Sequence, residues 1–168
     1  LLSSVHEQAT EFWEGLPDDY FFTPFGEKWS PAENVIHLNK STRPVALAMR
    51  LPRVVPRLLF GAGTSPSRSY AQIQSIYREA LQNGAQAGSY APSRREFPDN
   101  PKVIRQKIMR EWNRIWQQLI HATQGWKDSS LDRLRLPHPL IGKLSVREML
   151  YFTLYHHRHH WENVAGRR

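Results

Sequence analysis

Two four-residue stretches, Ser30-Pro31-Ala32-Glu33 and Ser145-Val146-Arg147-Glu148, most constrain what this chain can fold into. Each is a capping box. A serine hydroxyl accepts from the backbone N–H three residues on, and the glutamate there accepts from the serine's own N–H. Pro31 adds a fixed φ at the first helical position. Helices therefore start at residues 30 and 145. The first runs to about Met49, with Pro44 inside it expected to kink or shorten it. The second runs to about Ala165, ahead of Gly166. Three further amphipathic stretches are read as helix. Residues 3–15 place Val5, Ala9, Phe12 and Trp13 on one face. Residues 69–83 do the same with Ile73, Ile76, Tyr77 and Ala80. Residues 100–121 carry Ile108, Trp112, Ile115, Trp116 and Leu119, with Gly125 as the stop.

Between these lie long connections. Residues 17–29 are rich in aromatics that should pack over the bundle. Residues 51–69 are broken by prolines and glycines, with room for a short helical turn at 54–60. Residues 84–99 and 126–144 read as loops. No Asn-Gly or Asp-Gly hairpin flanked by alternating apolar residues is present, so strand signals are poor. The expected fold is all-α: a four-helix bundle with an additional short element and long connecting loops, in one domain spanning 1–168.

Composition narrows the function classes. With no cysteine the chain can form neither disulfides nor an iron–sulfur cluster, and it has no thiol nucleophile of its own. No run of 18 apolar residues is present to span a membrane, and no secretory signal is visible, so a cytoplasmic protein is expected. A net charge of +8 favours anionic ligands and weakens with salt. The basic residues are scattered, the densest set being Arg50, Arg53, Arg57 and Arg68, and no nucleic-acid docking motif accompanies them.

Four of the eight histidines, His156, His157, His159 and His160, fall within five residues of the last helix. Histidines four apart share a helix face, and neutral imidazole is a common metal ligand. At 100° per residue the apolar face holds Val146, Met149, Leu150, Thr153, His160 and Val164. His157 falls within that face and His156 flanks it, so periodicity permits 156/160 or 157/160 as an inward pair. His37, two turns into the second capped helix, is the candidate third ligand. His6, His121 and His138 have no partner pattern. Glu148 is read as the capping residue, Glu162 as a solvated or salt-bridged group, and Arg158 as a surface residue. Trp29, Tyr155 and Trp161 are read as core.

The stretch Trp29-Ser-Pro-Ala-Glu-Asn-Val-Ile-His37-Leu38 resembles the second-helix motif of the DinB/YfiT-like superfamily. Gly142-Lys-Leu-Ser-Val-Arg-Glu-Met149, followed by His156-His-Arg-His-His160, resembles that family's last-helix motif. The two blocks stand in the family's order and cover most of the chain. The resemblance implies a DinB/YfiT-like four-helix bundle in which His37, His156 and His160 bind one divalent metal, zinc or nickel ahead of iron or manganese. His157 and His159 then become outer or surface residues. Where relatives often carry Gln three residues after the last ligand, this chain has Asn163, a shorter amide. Three neutral ligands leave a coordination position open, the pattern of catalytic zinc. The resemblance implies a thiol transferase or hydrolase acting on a small substrate, anionic or thiol-bearing, with any low-molecular-weight thiol supplied as cofactor. It names no further catalytic residue. A basic, non-enzymic binding or stress-response protein is the competing class. The sequence admits a homodimer.

Overall fold

The computed structural model describes residues 1–94 and 96–167. Arg95, in the predicted 84–99 connection, and Arg168, at the end of the chain, lie outside them. Eight α-helices and one small hairpin are present among the described residues. They are α1 Leu2–Glu14, α2 Asp18–Phe22, α3 Pro31–Arg50, α4 Val54–Phe60, α5 Tyr70–Gln82, α6 Pro101–Gln124, α7 Asp128–Arg133, β1 Arg135–His138, β2 Gly142–Ser145 and α8 Val146–Ala165.

Both predicted capping boxes form. Ser30 Oγ accepts from the Glu33 amide and Glu33 accepts from the Ser30 amide. Ser145 and Glu148 repeat the arrangement. A third box, Ser69 with Gln72, opens α5. Glu148 does more than cap. Its carboxylate also accepts from the Arg68 amide and, at 2.9 and 3.1 Å, from the Arg68 guanidinium, tying the start of α8 to the segment leading into α5.

Helices α1, α3, α6 and α8 close a ring of pairwise contacts, and α5 packs on the side of α8. This is the expected bundle with a helix laid against it. The core is aromatic: Trp13, Phe21, Trp112 and Trp116 are fully buried together with Val35, Leu38, Ile115 and Leu119. Phe21 and Phe22 reach it from α2, a five-residue helix inside the predicted 17–29 loop. Pro44 neither ends nor shortens α3, which continues to Arg50. The proline withholds one hydrogen bond, and the buried Val45, Ala46 and Met49 hold the last turn of the helix against the core past it.

The 126–144 stretch departs from the expected loop. It holds α7 and the antiparallel pair β1–β2, in register from Arg135 opposite Ser145 to His138 opposite Gly142. Pro137 inside a four-residue strand, and a turn without Asn-Gly or Asp-Gly, hide this hairpin from pattern reading. Gly142 closes the turn at φ 76°, a conformation that favours glycine. The hairpin leads straight into the α8 capping box, and so fixes where α8 begins.

Candidate metal centre

Helix α3 is anchored at its start by Ser30, and His37 points inward two turns later. Helix α8 presents His156 and His160 one turn apart. The Nε2 atoms of His37 and His156 stand 3.1 Å apart, and those of His160 and His156 also 3.1 Å. One nitrogen from each of the three rings lies within 4.8 Å of the others. Three imidazoles on two helices thus converge on one point.

The opposite ring nitrogens are held. His37 Nδ1 lies 2.9 Å from the Tyr90 carbonyl, which can only accept, so the proton sits on Nδ1. His160 Nδ1 lies 2.6 Å from Asn34 Oδ1. The Asn34 amide nitrogen donates to the Trp29 and Ser30 carbonyls, which fixes which end of the amide faces the histidine. His160 therefore also carries its proton on Nδ1. Two bare Nε2 lone pairs then face His156 Nε2, and one proton among three nitrogens cannot pair them all. A divalent cation satisfies all three. Tetrahedral ligands at zinc–nitrogen distances stand roughly 3.3 Å apart, close to the separations seen. The three-histidine group can bind a metal ion.

Burial keeps these imidazoles neutral. It lowers the His37 pKa, against the Tyr90 carbonyl, which raises it, and with help from Lys40. Burial holds His156 and His160 well below 6.5, and the neighbouring imidazoles push in the same direction. Each lone pair is therefore free for a cation at neutral pH.

The other two histidines of the cluster turn elsewhere. His157 is buried against Trp112 and Trp116, with ring centroids at 5.0 and 4.7 Å, and its Nε2 lies 2.7 Å from Thr42 Oγ1. His159 Nε2 accepts from the Asn163 amide at 2.9 Å. Asn163 thus serves His159 and makes no hydrogen bond to the converging three. Glu162 pairs with Arg158 at 3.2 Å on the exposed side of α8. Tyr155 is core, as expected. Trp29 is not simply core: its ring stacks parallel to His160 and lies 4.9 Å from His37.

The three imidazoles form one wall of a cavity of about 340 Å³. The segments predicted as connections supply much of the rest: Phe60 of α4, Gln86 and Tyr90 before α6, and Leu136 to Leu140 of the hairpin. His138 is among them. Its Nδ1 accepts from the Leu140 and Ile141 amides, and its ring packs 4.2 Å from Phe152, which in turn stacks 5.0 Å from His156. Burial lowers its pKa to about 4. Sequence reasoning missed Asn34, Tyr90 and His138. Only Asn34 carried a signal, its position three residues before His37 on the same helix face.

A model of the DinB superfamily matches residues 1–164. The chain is similar to the uncharacterized protein YuaE of Bacillus subtilis (strain 168). The two are 27% identical over 165 residues, covering 95% of this chain and 91% of that protein. No solved structure matches the chain.

Proposed function

The chain belongs to the DinB superfamily, and from that membership and the converging imidazoles we propose a divalent-metal-dependent enzyme, a thiol transferase or hydrolase acting on a small substrate. The observation that carries this reading is the meeting of three imidazole Nε2 atoms at the wall of a cavity. His37, His156 and His160 would hold the ion, zinc or nickel ahead of iron or manganese, with affinity ordering favouring the later metals. When bound, the ion would supply a Lewis acid able to polarise a carbonyl and to lower the pKa of a water or thiol.

The chain's own residues divide the remaining work. The Tyr90 carbonyl and Asn34 orient the His37 and His160 rings and fix their tautomers, as outer partners of metal-ligating histidines do. Trp29 and Phe152 flank the imidazoles with apolar surface and exclude water from them. Tyr77, pushed up to about 12 by burial, stays protonated and can donate a hydrogen bond but not take a proton. With no cysteine in the chain, a reacting thiol arrives with the substrate or a small-molecule cofactor.

The competing reading, a binding protein that keeps the bundle without catalysis, draws on one observation. Among the described residues no carboxylate lines the cavity to act as a general base. Untagged protein and the variant His160→Ala separate the two. Metal content, helicity and rates in a thiol-transfer and hydrolase screen are measured side by side. The enzyme reading expects metal and activity to vanish together while helicity stays. Equal activity without metal rejects metal catalysis, and a metal-loaded protein inactive across the screen favours the binding protein.

A further inference from the structure

We infer that the cavity selects a small ligand with an apolar body, one metal-binding head and no charge elsewhere. The inference rests on the metal reading for the head group, and on the cavity wall alone for the body.

The wall beyond the imidazoles is largely hydrocarbon and aromatic: Val45, Phe60, Leu81, Leu136, Met149 and Phe152. Among the described residues that line it there is no lysine, arginine, aspartate or glutamate. Its polar groups are neutral, and some are already engaged. The Ser41 hydroxyl donates to the Leu38 carbonyl. His138 Nδ1 is taken by two backbone amides, which leaves the ring only its Nε2–H to offer. Tyr77 offers a phenol. A carboxylate or ammonium brought into such a space finds no counter-charge, and burying an unpaired charge is strongly unfavourable.

The protein's positive charge does not alter this. Three of its less exposed arginines pair with carboxylates outside the cavity: Arg68 with Glu148, Arg147 with Asp132 and Arg105 with Asp18. A net charge of +8 can draw an anion toward the molecule, but nothing on the wall receives one. The cavity thus narrows the substrate expected from composition. An anionic group is tolerated only where it can meet the ion. At about 340 Å³ the space lies at the small end of ligand pockets.

Hydroxamates of graded length test this, because the head binds metal and the tail reports the wall. Titration calorimetry on zinc-loaded protein compares acetohydroxamate, butyrohydroxamate and hexanohydroxamate with an analogue whose tail ends in a carboxylate. The expected result is roughly fourfold tighter binding per added methylene until the cavity is full. The carboxylate-ended analogue should bind at least tenfold more weakly than hexanohydroxamate. Leu81→Lys, at a half-buried wall position, should narrow or reverse that gap. Affinity independent of tail length, or a carboxylate tail that binds as well as the methyl-ended one, overturns the inference. Elemental analysis of the loaded protein keeps the two readings apart. If no zinc is held, the metal reading has failed by itself. The wall is then judged on metal-free protein by thermal shift with ethanol, butanol and hexanol. Stabilisation that rises with chain length upholds the apolar cavity, and none at any length overturns it.

Discussion

His156 and His157 are adjacent in the chain and equally hidden, at 4% and 1% exposure, yet they live in different chemistry. His156 faces two imidazoles whose tautomers are fixed from outside by a carbonyl and an amide. His157, a hundred degrees further round α8, faces Trp112, Trp116 and a threonine hydroxyl, and its Nδ1 has no partner among the described residues. Burial lowers the pKa of both. What separates them is the opposite helix. Helix α3 brings His37 and Asn34 to one face of α8 and Thr42 to the other, where α6 adds two indoles. A histidine cluster acquires its role from what the neighbouring helices present to it.

The comparison breaks first under alanine. His156→Ala should abolish stoichiometric metal binding while leaving the bundle helical. His157→Ala should keep the metal but cost about 2–4 kcal/mol of stability, because it opens a void between two buried tryptophans. Metal analysis and urea unfolding of both variants check this, and metal loss in His157→Ala would erase the distinction.

Asn34 sharpens it. Asn34→Ala removes the acceptor that orients His160 and should weaken metal affinity about 10–100-fold, in line with losses of outer partners elsewhere. Chelator competition measures the change, and an unchanged affinity would mean that the amide only braces α3.

Acid acts on His157 and on His138 of the hairpin by another route. His138 and His157 are held neutral in the fold with pKa values lowered to about 4 and about 3, but protonate near 6.5 once unfolded. Below 6.5 the unfolded chain binds more protons. The stability associated with these groups is therefore complete above pH 6.5, and is lost as pH falls toward 4 and 3. Each adds a slope of about 1.4 kcal/mol per pH unit. Urea unfolding of metal-free protein between pH 7 and 5 should show this decline, and His157→Leu should flatten it by one group's share. The smallest effect is expected at Asn163, exposed, with its side-chain amide on His159. Asn163→Ala should change stability by less than about 0.5 kcal/mol and leave metal content intact.

Much of this was legible in the sequence where local rules decide. Ser30, Glu33, Ser145 and Glu148 fix helix starts within four residues, and both starts are found where expected. The α8 periodicity also placed His157 on the apolar face, which is where it lies, but could not rank His156 against it. The inward direction at a metal centre is set by α3, more than a hundred residues away. The hairpin was not legible. Its strands are four residues long, one holds Pro137, and its buried Leu136 and Leu144 belong to a hairpin packed against α4, α7 and α8, contacts that strand propensity does not report. Tyr90 contributes through a backbone carbonyl, which no side-chain pattern reports. His138 has no partner pattern in the sequence because its partners are backbone groups, the Leu140 and Ile141 amides of the hairpin turn.

X-ray absorption at the metal edge, on protein never exposed to a metal-affinity tag, tests the central claim most directly. The account predicts one ion per chain with three imidazole nitrogens at about 2.0–2.1 Å for zinc and room for at least one further light atom, and loss of that ion in His37→Ala. Full metal content in His37→Ala, or a coordination shell that lacks three imidazoles in the parent protein, would contradict it.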